Sequence, residues 1–292
     1  MSLTPDLQPD QQPARWDDHV AVYETVFEPL TNAFARRTLD RLGLRPGDRL
    51  IDVGAGSGGA ALIAAGRGAE VLALDASAGM VARIRARATA AHGPAVRLRA
   101  EAMNGMALDL PDASFDAALS VFGVILFPDA GLGMREIARI LKPSGRAAIV
   151  TWTETERYEL AARLIAAIAE VRGPQPPPAV LPAQLRFREE GTFRTLFAEA
   201  GFAVEDIIRL EEHWHLPSAR WIAEHVAFAP GMAAMMDGLG ADRARMLDAF
   251  VAGLERDQGR GEIVLGAVAH AGIAAKPRGW TKRSLAREAE RE

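Results

Sequence analysis

The run Arg49-Leu50-Ile51-Asp52-Val53-Gly54-Ala55-Gly56-Ser57-Gly58-Gly59 constrains the fold of this chain more than any other stretch. A short apolar segment ends in an acid, passes through a glycine-rich turn and opens into an Ala/Leu-rich segment that reads as helix. Glycines at such a turn let the backbone approach a ligand where a Cβ would clash. The helix behind it points unpaired N–H groups and the positive end of its dipole at any anionic group docked there. The pattern predicts a nucleotide-type cofactor site at a strand–turn–helix junction.

Strand patterns at 49–53, 71–75, 96–100, 115–121 and 146–152 alternate with helical patterns at about 58–66, 78–91 and 131–142. Such alternation implies an α/β fold with a parallel, doubly wound sheet. Upstream, Val20, Tyr23, Phe27, Leu30, Phe34 and Leu39 recur at helical spacing between Trp16 and Leu42, and Gly43 with Pro46-Gly47 ends that helix. Past Trp152 the pattern changes. Thr153 and Glu156 have capping-box spacing, which predicts a helix from Thr153 to about Val171. A proline-rich loop at 173–178, a short helix at 189–200 and a strand at 204–215 follow. Two helices fill 218–258, with Ser218 as N-cap, before a last strand at 262–270. The expected division is a flexible leader (1–15), a cofactor-binding core with N-terminal covering helices (16–152), remaining strands plus helical substrate-capping inserts (153–275) and a charged tail (276–292).

Composition removes several classes. With no cysteine, disulfides, thiolate catalysis and zinc–thiolate sites are excluded. A net charge of −4, from 38 acids against 34 bases, gives no broad electrostatic footprint for nucleic acid. No run reaches the ~18 to 20 apolar residues of a membrane span, and residues 1–18 have no apolar core of a secretory signal. A soluble cytoplasmic protein is the expectation.

Gly54, Gly56 and Gly59 satisfy G-x-G-x-x-G, a weak signal alone. Asp52 precedes the first glycine by two residues, and Gly58 lengthens the turn. Asp75 ends the second strand, where a carboxylate can accept both hydroxyls of a ribose. Glu101-Ala102-Met103 ends the third, and Leu110-Pro111-Asp112-Ala113-Ser114-Phe115-Asp116 leads into the fourth. Together these residues resemble the class I S-adenosylmethionine-dependent methyltransferases, in particular small-molecule enzymes similar to the ubiquinone/menaquinone C-methyltransferase group. The resemblance runs from Trp16 to Trp152. It continues more weakly over 187–202, where Phe-Arg-Glu-Glu precedes Glu-Ala-Gly-Phe.

That resemblance implies a mostly parallel, seven-stranded Rossmann-like sheet with an antiparallel last strand and helical lid segments. It implies S-adenosyl-L-methionine as cofactor, with S-adenosyl-L-homocysteine as product. Asp52, Gly54, Ala55, Gly56 and Gly58 would surround the methionine end. Asp75 would hold the ribose, with Ala76 and Met80 beside the adenine, and Glu101, Ala102 and Met103 would face its amino group. Ser120 and Val121 would lie near the transferable methyl. Tyr23 on the N-terminal helix, a candidate catalytic residue, resembles a tyrosine bordering the sulfonium and acceptor, and with Trp16 on the same face and Phe122 beside them it is also a candidate substrate contact.

His213 and His215 share one face of the strand at 204–215, and His213 is a candidate base. An H-x-H pair without a third ligand nearby predicts no metal. Phe228, Met232, Met235 and Met236 are candidates for an apolar acceptor pocket, since Met adapts to irregular shapes. The expected activity is methyl transfer to O, C or N of a small apolar or aromatic metabolite, with no nucleic-acid partner and no membrane span. A nicotinamide-dependent oxidoreductase, or a non-catalytic member of the same fold, are the competing readings.

Overall fold

A computed structural model of the protein describes residues 6–92 and 97–280. Its strands are β1 (Arg49–Val53), β2 (Glu70–Asp75), β3 (Leu98–Ala102), β4 (Phe115–Val121), β5 (Leu141–Trp152), β6 (Ala203–Leu216) and β7 (Ile263–Ala275). They form one seven-stranded sheet in the order β3-β2-β1-β4-β5-β7-β6. From β3 to β5 all neighbours are parallel, while β7 runs antiparallel to both β5 and β6. The helices are α1 (Pro13–Asp17), α2 (Val20–Val22), α3 (Glu28–Leu42), α4 (Gly59–Gly66), α5 (Ala78–His92), α6 (Ala130–Ile140), α7 (Glu159–Arg172), α8 (Glu190–Glu199), α9 (Ala219–Glu224), α10 (Pro230–Gly238) and α11 (Arg243–Gln258).

Parallel central strands are covered on both faces, so they bury nearly all their side chains: four of five residues of β1 are buried, Asp52 among them. Leu39 of α3, Ala61 of α4 and Ile84 of α5 pack on one face. Met134 and Ile137 of α6, with Phe193 and Phe197 of α8, pack on the other. A third cluster joins Phe34, Phe122 and Trp152 to α7, α9, α10 and α11 and to buried side chains of β5, β6 and β7. The doubly wound sheet with its antiparallel last strand is thus as expected. No helix among the described residues is long and apolar enough to cross a membrane.

Four local expectations need correction. The N-terminal helix is broken: residues Tyr23–Phe27 form a π turn before α3. Pro29 explains the break, because it offers no N–H and its ring collides with the carbonyl one turn back. Thr153 starts no helix. Its Oγ1 donates to the Val268 carbonyl at 3.1 Å, tying it to β7, and α7 begins only after Tyr158, whose backbone bridges Ala267. The described part of the expected flexible leader is docked. The Gln8 amide bonds both Leu181 O (3.1 Å) and Ala183 N (2.9 Å), and Asp10 accepts from Gly231 N at 2.7 Å. The first residues of the expected charged tail also belong to the body. Lys276 donates to Leu141 O at 2.6 Å under the Trp280 ring, and Trp280 bonds Ala200 O at 3.0 Å. Residues 281–292 lie outside the described part.

Candidate functional site

The carboxyl ends of β1, β2 and β4 meet where the strand order reverses, the usual crevice of an open α/β sheet. Gly54 (φ +72°) and Gly56 (φ +56°) adopt left-handed backbone, which lets the chain leave β1 in a tight bend. A Cβ on Gly54 would sit 2.9 Å from Gly123 Cα, so β1 and β4 can only approach this closely as glycine against glycine. Both Gly54 N and Ala55 N donate to Leu74 O at 2.9 Å, pinning the bend to β2.

Asp75 stands across this bend. Its carboxylate accepts from Gly56 N at 2.8 Å and Ser77 N at 2.9 Å. Burial pushes its pKa up to about 6 despite those N–H donors. Ser77 caps α5 through Met80 N (3.1 Å) and donates to Asp17 at 2.6 Å, which ties α1 to the end of β2. On the hidden side of the bend lies an ion pair that sequence reading missed. Buried Glu28 meets Arg87 at 2.6 and 2.9 Å, Arg87 also donates to Ser57 O at 2.9 Å, and Ser57 Oγ donates to Glu28.

A cavity of about 630 Å³ opens from the bend. At one end are Gly54, Gly56, Asp75, Ala76, Met80 and Met103. Its other walls are largely apolar and aromatic: Trp16, Tyr23, Phe27, Phe122, Trp152 and Phe228 contribute rings. This size lies within the range of small-molecule sites. Phe122 holds φ +59°, a strained conformation for a bulky residue, and its ring stacks on Trp152 at 4.0 Å and 10°. Ser120 holds that corner: its hydroxyl donates to Val53 O at 2.6 Å and accepts from Val124 N at 2.9 Å.

Most of the expected contacts converge here, and several do not. Val121, Phe122, Tyr23 and Trp16 line the cavity, as do Phe228, Met232 and Met235. Met236 is fully buried in the core instead. Ser120 is taken up by the backbone hydrogen bonds just given and lies outside the lining. Glu101 and Ala102 are exposed, and the wall past β3 is made by Met103, Asn104, Gly105 and Met106. Gly58 (φ +90°) packs on Ile84, where a Cβ would come within 2.7 Å, so its glycine serves the turn. His213 is no base for this site. It stands exposed on the edge strand β6, while Trp214 beside it faces inward against Phe27 and Phe228. His215 is likewise exposed and pairs with Glu262.

Asp52 and Ala55 border a second, small polar chamber with Tyr23, Glu28, Thr31 and Asn32. Asp52 Oδ2 and Asn32 Oδ1 have no hydrogen-bond partner among the described residues. Burial, with repulsion from Asp75, pushes the Asp52 pKa up to about 7. Tyr23 lies on both chambers, its ring over Gly56, and burial raises its hydroxyl pKa well above the usual tyrosine range. Burial does the same to Tyr158, which stacks on Trp152 at 4.8 Å and lines the large cavity. No group of three or more His, Asp or Glu among the described residues is placed to hold a metal.

Comparison with known proteins agrees with this geometry. Residues 51–149 match the family described as a methyltransferase domain. A demethylmenaquinone methyltransferase from Beutenbergia cavernae is 31% identical over 152 residues, which are 51% of this chain and 60% of that protein. The chain therefore matches little more than half the length of this relative. Among solved structures, the cyclase SpnF superposes with a TM-score of 0.58 at 20% identity, over 94% of this chain and 98% of that one. An N-methyltransferase from Haemonchus contortus, solved with S-adenosylhomocysteine, gives 0.53 at 18% identity, over 89% and 57%. The fold is shared with these solved structures, and residues 51–149 are similar to a methyltransferase domain.

Proposed function

For a chain whose residues 51–149 match a methyltransferase domain, we propose an enzyme that moves the methyl group of S-adenosyl-L-methionine to a small apolar or aromatic metabolite. One observation carries this reading: a single cavity joins the glycine bend and Asp75 to an aromatic chamber. A cofactor end and an acceptor end in one space is what direct group transfer between two small molecules requires. The Beutenbergia relative is named for a quinone-type acceptor, which supports a ring-shaped substrate.

The residues present fit the donor. Asp75 offers a carboxylate to a ribose diol at the cavity edge, and a Cβ on Gly56 would fill space against the Tyr23 ring at 3.3 Å. The partnerless Asp52 Oδ2 and Asn32 Oδ1 lie beside Gly54 and Ala55 and suit an ammonium group. Bound there, the donor supplies an electrophilic methyl on a sulfonium. The protein's share is orientation and exclusion of water, which together supply ~7–11 kcal/mol in well-aligned reactions. Tyr23 and Tyr158 hold their protons at neutral pH and act as donors or walls rather than bases. No histidine lines the cavity among the described residues, so this chemistry rests on positioning.

Calorimetric titration with S-adenosylhomocysteine and with NAD tests the donor. Binding of the first alone, lost in Asp75→Ala, is the expected result. Binding of NAD, or undiminished affinity in that variant, sinks the reading.

A further inference from the structure

The cavity is lined by two carboxylates, Asp75 at the glycine bend and Asp10, which accepts from Gly231 N, and, among the described residues that line it, by a single cationic side chain, Arg188. Arg188 sits on the segment between Ala183 and α8, whose backbone turns through hydrogen bonds from Leu185 N to Pro182 O and Arg188 N to Leu185 O. That segment is fastened to the corner beyond β4 by its other arginine. Arg186 donates to Ile125 O at 2.7 Å, to Pro128 O at 3.2 Å and to Phe127 O. Arg186 is thus committed to holding the wall.

Arg188 is not. Its Nε approaches Glu189 at 3.3 Å, a contact between two exposed neighbours that contributes little. Its two terminal nitrogens have no partner among the described residues. A guanidinium presents a planar fork that matches a carboxylate, and a few placed polar groups in an apolar pocket set ligand orientation. We propose that the acceptor is an aromatic molecule bearing a carboxylate, and that Arg188 is the specificity-determining residue that pairs with it. The ring then lies among Phe122, Trp152 and Phe228 while its acid meets Arg188. Like charge at the Asp75 end disfavours the reverse orientation. Arg188 does no bond making and acts by choosing and orienting the acceptor.

This inference rests on the methyltransferase reading for the word acceptor, and its test keeps the two apart. A biphenyl carboxylic acid and its primary amide, alike in shape and different in charge, are titrated into the protein with and without S-adenosylhomocysteine. The acid should bind about tenfold more tightly than the amide. Arg188→Gln should bring the two within about twofold, leaving the amide and S-adenosylhomocysteine affinities unchanged. Arg188→Lys should restore part of the preference, since it returns the charge without the fork. Equal binding of acid and amide, failure of the acid to bind, or a preference that survives Arg188→Gln overturns the proposal. If acid preference follows Arg188 while S-adenosylhomocysteine does not bind, the donor assignment fails and the carboxylate site stands.

Discussion

Asp52 shows how much a single buried group sets the behaviour of this site. Its pKa of about 7, against an ordinary 3.8, means that between those values the folded chain holds a proton that the unfolded chain releases. Stability therefore falls as pH rises from about 4 to about 7 and levels off above. Asp52→Asn keeps an acceptor for the Ala61 N–H and removes the titration. The variant should gain stability over the native chain as pH rises, by no more than ~4 kcal/mol at pH 8, with the gain vanishing near pH 4. Thermal unfolding at the two pH values checks this, and parallel profiles for the two proteins would refute it. At this scale the glycine bend and Asp75 were legible, because the bend is one contiguous run and Asp75 closes the next strand of a regular alternation. His213 was not. Alternation tells which residues of a strand share a face but leaves open which face is covered, and β6 is an edge strand.

Elements show the same division between local and distant causes. Ser218 caps α9 through Trp221 N at 3.1 Å, as its position before a helical pattern predicts. The docking of residues 8–10 on Ala183 and Gly231 depends on partners 175 and 221 positions away, which no short window can reveal. The same holds for Glu28 and Arg87, which join α3 to α5 behind the glycine bend. Removing one partner strands the other charge, because Glu28 is only 5% exposed. Arg87→Leu should therefore cost roughly 3–5 kcal/mol and blunt donor binding as well, since Arg87 also supports Ser57 O. Chemical denaturation should show a lower midpoint. A loss under 1 kcal/mol, of the size typical for a surface pair, would count against the clamp.

Across the whole molecule the sheet order matters most. β7 follows the other six strands in the chain, yet it lies between β5 and β6 and pairs with both along most of its length. Alternation alone predicted the parallel half, whereas this insertion follows from the resemblance rather than from any pattern in residues 263–275. A chain ending at residue 262 should keep the elements of the parallel half but aggregate on refolding, with β5 and β6 both left as open edges. Light scattering after dilution from denaturant would show it, and a monomeric, cooperatively unfolding truncation would disprove it. There is a consequence for synthesis too. On a ribosome β5 emerges more than a hundred residues ahead of the strand that completes it. Until then the nascent protein exposes two unfinished edges, so the speed of translation between β5 and β7 bears directly on yield.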